Sequence, residues 1–221
     1  MKITRKHIIV PLALILASTL LAGLSPAFAQ SGRGVRAEYS YRLGFFLPTS
    51  GDAYGGWMDG KKTSLSDDNV SIRNTLAQSL RWDNGFALGL SGGLIFTYVD
   101  GDGLFMQYVV PVMATATYEI PVPTNWPLIP YAGAGIGAYF GYADVDAESR
   151  SGYRDWDDTS LSRGLHLLVG AKFFPESYMP LYAEILYENF DLAYELPYDG
   201  YGRGEISRRG GGFTINFGIR M

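Results

Sequence analysis

From residue 35 onward the sequence alternates. In VRAEYSYRLGF, Val35, Ala37, Tyr39, Tyr41, Leu43 and Phe45 take one set of alternate positions, and Arg36, Glu38, Ser40, Arg42 and Gly44 take the other. A period of two marks an extended strand with two unlike faces, because successive side chains leave a strand on opposite sides. A helix would need apolar residues three and four apart. VSIRNTLAQSLRW repeats the pattern, with Val70, Ile72, Leu76, Leu80 and Trp82 set against Ser71, Arg73, Thr75, Ser79 and Arg81. FALGLSGGLIFTYV follows Asp83-Asn84-Gly85, a tight-turn signal. LFMQYVVPVMATATYEI, PYAGAGIGAYFGY, SRGLHLLVGAKFF, LYAEILYENF and GGFTINFGIRM complete a set of eight predicted strands, and almost nothing reads as helix.

The connections are unequal. Those after the first, fifth and seventh strands are long and polar, whereas those after the second, fourth and sixth are short and carry Asp83-Asn84-Gly85, Pro121-Val122-Pro123 and Pro175-Glu176-Ser177. Short turns at one end and longer loops at the other are the habit of outer-membrane barrels. Only the short Asp100 to Gly103 connection departs from it.

PYAGAGIGAYFGY contains Gly133, Gly135 and Ala138 at the G-x-G-x-x-G/A spacing of dinucleotide-binding loops. That motif needs a strand, a glycine turn and a helix whose N-terminus meets the phosphates. Here Tyr139, Phe140 and Tyr142 continue the alternation and no helix follows. No cofactor is expected. Gly133, Gly135 and Gly137 instead face a narrow lumen and leave room for bulky side chains from neighbouring strands.

The orientation of the faces separates a membrane barrel from a soluble one. A lipocalin-like barrel would turn its apolar face inward around a ligand. In this chain the set rich in Gly, Ser and Thr also holds Arg36, Glu38, Arg42, Arg73, Arg81, Glu119, Lys172, Glu184, Glu188 and Arg220, six cations and four acids. An eight-stranded barrel is just wide enough inside for its own side chains, so these groups are expected to meet there as ion pairs. The opposite faces would form a continuous greasy band, an aggregation hazard in water but a match for lipid. Closure leaves no unpaired backbone edge in hydrocarbon. Tyr39, Trp82, Tyr98, Tyr118, Tyr142 and Phe217 would supply the aromatic girdles. A mean hydropathy near zero does not argue for solubility, because alternating strands average their two faces. Pro111 falls mid-strand and cannot donate to a ladder, which predicts a bulge or local irregularity beside a small apolar patch at Val109 and Met113.

At the N-terminus, Lys2, Arg5 and Lys6 precede the apolar IIVPLALILASTLLAGL, then Ser25-Pro26 and Ala27-Phe28-Ala29. This is the grammar of a secretory signal over residues 1–29, cleaved between Ala29 and Gln30; the apolar run is barely long enough for an uncleaved anchor. The mature chain, 30–221, then forms one domain, with fifteen cations against 22 acids, a net −7. It has no basic footprint for nucleic acid. The absence of cysteine excludes disulfides, thiolate metal sites and a Cys nucleophile.

On the signal peptide, PYAGAGIGAYFGY, LYAEILYENF and GGFTINFGIRM, the chain resembles the small outer-membrane β-barrel domain family that includes the OmpA transmembrane domain, OmpX and OmpW. The likeness spans the mature chain. It implies an all-β, eight-stranded antiparallel up-and-down transmembrane barrel in the outer membrane of a Gram-negative bacterium. Implied partners are outer-membrane lipid, lipopolysaccharide and the barrel assembly machinery, with a monomeric state. Such barrels usually finish on an aromatic residue; this chain finishes on Met221, with Phe213, Ile215, Phe217 and Ile219 in register before it.

Some small barrels of this setting resemble lipid A acyl hydrolases, with a Ser and a His two residues apart on one strand. His166 has Gly164 and Leu168 at that spacing, so the dyad is missing and no enzyme is expected. Asp144, Asp146 and Glu148 hint at a calcium loop, but Ser149 stands where an EF-hand wants Gly and Asp155 where it wants Glu, so no metal is expected either. The leading expectation is a structural or surface-interaction barrel that meets extracellular ligands through its loops, including LAYELPYDGYGRGEISRR. The alternatives are a narrow passive channel, porin-like, and a lipid A-modifying hydrolase.

Overall fold

The computed structural model describes residues 34–48, 55–58, 61–64, 71–99, 104–123, 125–146, 156–175, 177, 179–196 and 204–220. The signal segment, with Ala29 and Gln30, lies outside them, as do Glu148 and most of the loops. The strands are β1 (Val35–Pro48), β2 (Gly55–Met58), β3 (Lys61–Ser64), β4 (Ser71–Trp82), β5 (Phe86–Val99), β6 (Leu104–Glu119), β7 (Leu128–Asp146), β8 (Trp156–Phe173), β9 (Leu181–Leu196) and β10 (Gly204–Arg220). β1 and β4 to β10 pair each with the next, all antiparallel, and β10 pairs back onto β1 through Leu43↔Phe217 and Phe45↔Ile215. The result is a closed eight-stranded up-and-down barrel. Val35 lies opposite Trp82, and Arg220 opposite Ser40, so the start of β1 and the end of β10 share the end that carries the short turns.

Alternation sets the two surfaces. Leu43, Phe45, Ile72, Leu76, Ile136, Leu165, Leu167, Val169 and Phe217 are all exposed on the outside, while Glu38, Ser40, Arg73, Thr75, His166, Lys172 and Glu184 are buried inside. Two aromatic rows bound the outer band. Near the turns, Trp82 and Phe86 lie 5.6 Å apart with Tyr118 opposite Phe86; toward the loops, Tyr108 touches Phe96 at 5.1 Å and Tyr142 at 6.3 Å. From Tyr118 to Tyr108 is ten residues of one strand, about 24 Å along the membrane normal at ~3.4 Å rise and ~45° tilt, the height of an outer-membrane apolar band. At the first turn Gly85 takes a φ of +84°, its N–H donates to the Trp82 carbonyl at 3.0 Å, and the Phe86 N–H donates to Asn84 Oδ1 at 3.0 Å. A left-handed backbone there suits glycine.

Pro111 interrupts one ladder only. β5 and β6 pair at Gly92↔Val112 and again at Ile95↔Val109, with no pairing between; against β7, Pro111 stays in register with Tyr139. On the other side of the gap the Leu94 N–H donates to Asn74 Oδ1 at 3.0 Å.

Two features depart from the sequence reading. The long connection after β1 is not free of strands: β2 and β3 form a hairpin that hydrogen-bonds β10 at Ile206↔Gly56 and Ser207↔Gly55. β1 ends at Pro48, opposite Gly212, and above that point the β10 edge is paired, among the described residues, by the hairpin. The strands also run further toward the loops than the apolar stretches did. Asp144 and Asp146 end β7, Asp157 and Asp158 begin β8, and Leu192 to Tyr194 continue β9, although both segments read as loop.

Candidate functional site

The barrel interior holds its functional groups in tiers, from the turn end upward. In the lowest, Glu38 Oε1 accepts from Arg81 Nε at 2.7 Å and lies 2.5 Å from Arg220 Nη2, while Glu119 Oε1 pairs with Arg81 Nη1 at 2.7 Å and with Lys172. Two carboxylates thus bridge three cations in one chain across five strands. Above it Glu184 accepts from Arg42 Nη1 at 2.8 Å, Asn216 Nδ2 at 3.0 Å and the Tyr131 hydroxyl at 2.9 Å. Leu168, Leu186 and Tyr182 pack against Tyr131 beside it.

The third tier is fully enclosed. Arg73 and Glu188 form an ion pair whose side chains are both 0% exposed. Glu188 also accepts from the Tyr139 hydroxyl at 3.1 Å, and Arg73 Nε donates to Thr75 Oγ1 at 3.1 Å. These extra bonds matter because a buried pair offsets its desolvation only when the remaining donors and acceptors are also engaged. His166 faces Glu188 across the β8–β9 ladder and fills the space left by Gly135. Its Nε2 lies 2.8 Å from Thr115 Oγ1.

Toward the loops the interior turns apolar. Phe46, Ile95, Val109, Tyr139, Ala143, Phe190, Leu192 and Tyr194 form one buried cluster. The Tyr139 and Phe190 rings stack at 4.1 Å with planes 13° apart, and Gln107 Nε2 donates to the Tyr194 hydroxyl at 2.8 Å.

Of the ten charged residues that the sequence assigned to the lumen, nine therefore occur in these pairs. Arg36 does not: it sits opposite Arg81 in the ladder and is exposed at the mouth, where like charges across a pair repel. Gly133, Gly135 and Gly137 all lie on the inward set of β7, and Tyr139 folds back over Gly137. The apolar plug was the part not foreseen. Val109 and Met113 suggest a patch, but Phe190, Leu192 and Tyr194 close the bore, and the last two fall in a segment that reads as loop. Their signal was present as the unbroken alternation of LYAEILYENF into Asp191-Leu192-Ala193-Tyr194.

Thr115 and His166 are a hydroxyl and an imidazole in contact, and Nδ1 of the ring is buried without a partner among the described residues. Among the described residues no group of three or more His, Asp or Glu gathers as a metal site. A cavity of about 50 Å³ lies in the turn-end half among Glu38, Arg42, Arg81, Thr115 and Tyr131.

No protein-family model matches the sequence, and no curated protein matches it significantly. Among solved structures, the outer membrane protein OprG from Pseudomonas aeruginosa superposes with a TM-score of 0.55 at 17% identity, covering 85% of this chain and 97% of that one. Neisserial surface protein A superposes with a TM-score of 0.52 at 15% identity, covering 86% of this chain and 99% of that one. At such identities the likeness speaks to fold, and the fold is that of small eight-stranded outer-membrane barrels.

Proposed function

We propose that the protein is an integral outer-membrane barrel with a structural or surface-interaction role, whose lumen is shut rather than conducting. The observation that carries this reading is the series of two seals: the fully enclosed Arg73–Glu188 pair, and above it the apolar cluster closed by stacked Tyr139 and Phe190. Ions crossing that cluster would shed their water with nothing to replace it. Two outward aromatic rows a bilayer apart, an exposed apolar band between them and the likeness to OprG support the location. The short turns then face the periplasm and the long loops the exterior, where extracellular ligands and lipopolysaccharide would be met. A cleaved signal over residues 1–29 fits that route. Catalysis forms no part of the proposal, since His166 fills the space beside Gly135.

Planar-bilayer recording of the purified, folded protein tests the closed lumen. Silence is expected at moderate voltage; discrete, reproducible openings would favour a narrow passive channel for small solutes instead.

A further inference from the structure

At the turn end the interior holds more positive than negative charge. Among the described residues Arg42, Arg81, Lys172 and Arg220 meet there with Glu38, Glu119 and Glu184. Each of these carboxylates already pairs with at least one of the cations, and higher up Arg73 and Glu188 cancel each other. One positive charge is left over. A charge enclosed without a counter-charge is costly. Exposure is uneven as well: the Arg42 and Arg81 side chains keep 20% and 15% of their surface open, but Glu184 and Glu38 only 1% and 4%. Open space in this part of the bore therefore meets arginine more than carboxylate.

The cavity of about 50 Å³ lies beside both arginines. The register explains its place. Ser40, Ala77 and Ser91 form one inward row across β1, β4 and β5, with Ser79 and Gly89 in the row below, so five small residues leave a gap that Tyr131 and Tyr182 close from β7 and β9. Along the inward sets, Arg42 is the next residue above Ser40 on β1, and Arg81 the next below Ser79 on β4. The serine hydroxyls are free rotors that can donate. The volume admits one small ion or roughly four waters.

We propose that this cavity holds one small monovalent anion, a halide such as chloride, between Arg42 and Arg81, with serine hydroxyls donating to it. Water would meet the hydrogen bonds but not the charge. Arg36, exposed at the mouth, draws anions toward the site. The inference goes beyond a shut lumen: the bound anion completes the charge balance below the seals and does not pass them.

The test uses the full mature chain refolded into lipid vesicles, with the urea midpoint read in sodium chloride, sodium bromide and sodium gluconate at one ionic strength. At a halide concentration ten times its dissociation constant, the folding equilibrium should favour the barrel about tenfold more than in gluconate. Ser91→Asp places a carboxylate in the cavity in the anion's stead, and Arg42→Gln removes the surplus charge. Either variant, once heat-modifiable gel mobility shows it folded, should lose the difference between the salts. In crystals of the wild type grown from bromide, the anomalous map should carry a peak between Arg42 and Arg81. The proposal is overturned if the wild type is indifferent to the anion, or if a folded variant keeps the full difference, which would mark a general salt effect. It is equally overturned if bromide is absent from the cavity, because water fills it or a carboxylate beyond the described residues supplies the charge.

Discussion

Gly135 has no room for a single methyl group. A Cβ there would drive into the carbonyl oxygen of Ala114 and stand 2.6 Å from both Cε1 and Nε2 of His166. The His166 ring is itself held by Thr115 and enclosed, and the Ala114 carbonyl belongs to a barrel strand, so neither neighbour gives way cheaply. Gly135→Ala is expected to leave the protein unable to refold, read as loss of the heat-modifiable gel form, whereas the outward Ala134→Gly should refold normally. Equal refolding of the two would show that the bore has slack. Glu188 tests the ion pair by the same residue-level logic. Glu188→Ala leaves Arg73 charged and enclosed, at a cost of about 3–5 kcal/mol, whereas Arg73→Met with Glu188→Leu removes both charges and should cost far less. Urea midpoints in lipid vesicles decide it; a double variant no better than the single would mean that the pair itself stabilises the barrel.

At the scale of the strand, β9 shows what the sequence displays and what it hides. Glu184, Leu186 and Glu188 point inward while Ile185 and Tyr187 point out, the pattern expected for lipid outside and ions inside. Above residue 188 the chemistry inverts without a break in period: Phe190, Leu192 and Tyr194 are buried, and Asn189, Asp191 and Ala193 are exposed. Periodicity reveals which residues share a face but not which solvent that face meets, so the apolar plug reads as a polar loop once the outer side emerges into water. The ladder with β8 stops at Leu165↔Asn189, above which Ser162 Oγ and Ser160 Oγ accept from the Asp191 and Ala193 N–H groups at 3.0 and 3.1 Å. The β2–β3 hairpin was illegible for another reason, because four-residue strands depend on the edge of β10 rather than on any pattern of their own. The charged residues could be assembled from the sequence, but not their pairing: Arg42 and Glu184 are 142 residues apart and meet only because β10 closes on β1. The inversion places the membrane boundary. Ile185→Arg should cost about 2–4 kcal/mol and Ala193→Arg about 0–1, both outward on one strand but at different depths. Matching shifts in the urea midpoint would remove the boundary from where Asn189 puts it.

For the whole molecule, the interior divides into a polar lower half with a small cavity and a dry upper half, and conduction through elements in series is governed by the tightest. Removing the plug alone therefore does not open the barrel. Phe190→Ala with Leu192→Ala takes away two enclosed side chains, a loss of about 2–5 kcal/mol each, yet leaves Arg73, Glu188 and Tyr139 tied across the bore below. Planar bilayers should stay silent with that variant, and equally with Arg73→Ala and Glu188→Ala in an intact plug. Only the fourfold combination, checked for its heat-modifiable form, is expected to give discrete openings. Current from the plug variant alone would assign the whole barrier to the apolar cluster and make the ion pair incidental to closure. Persistent silence from a folded fourfold variant would shift the barrier to the lower tiers, where Glu38, Glu119 and Glu184 hold four cations across the bore.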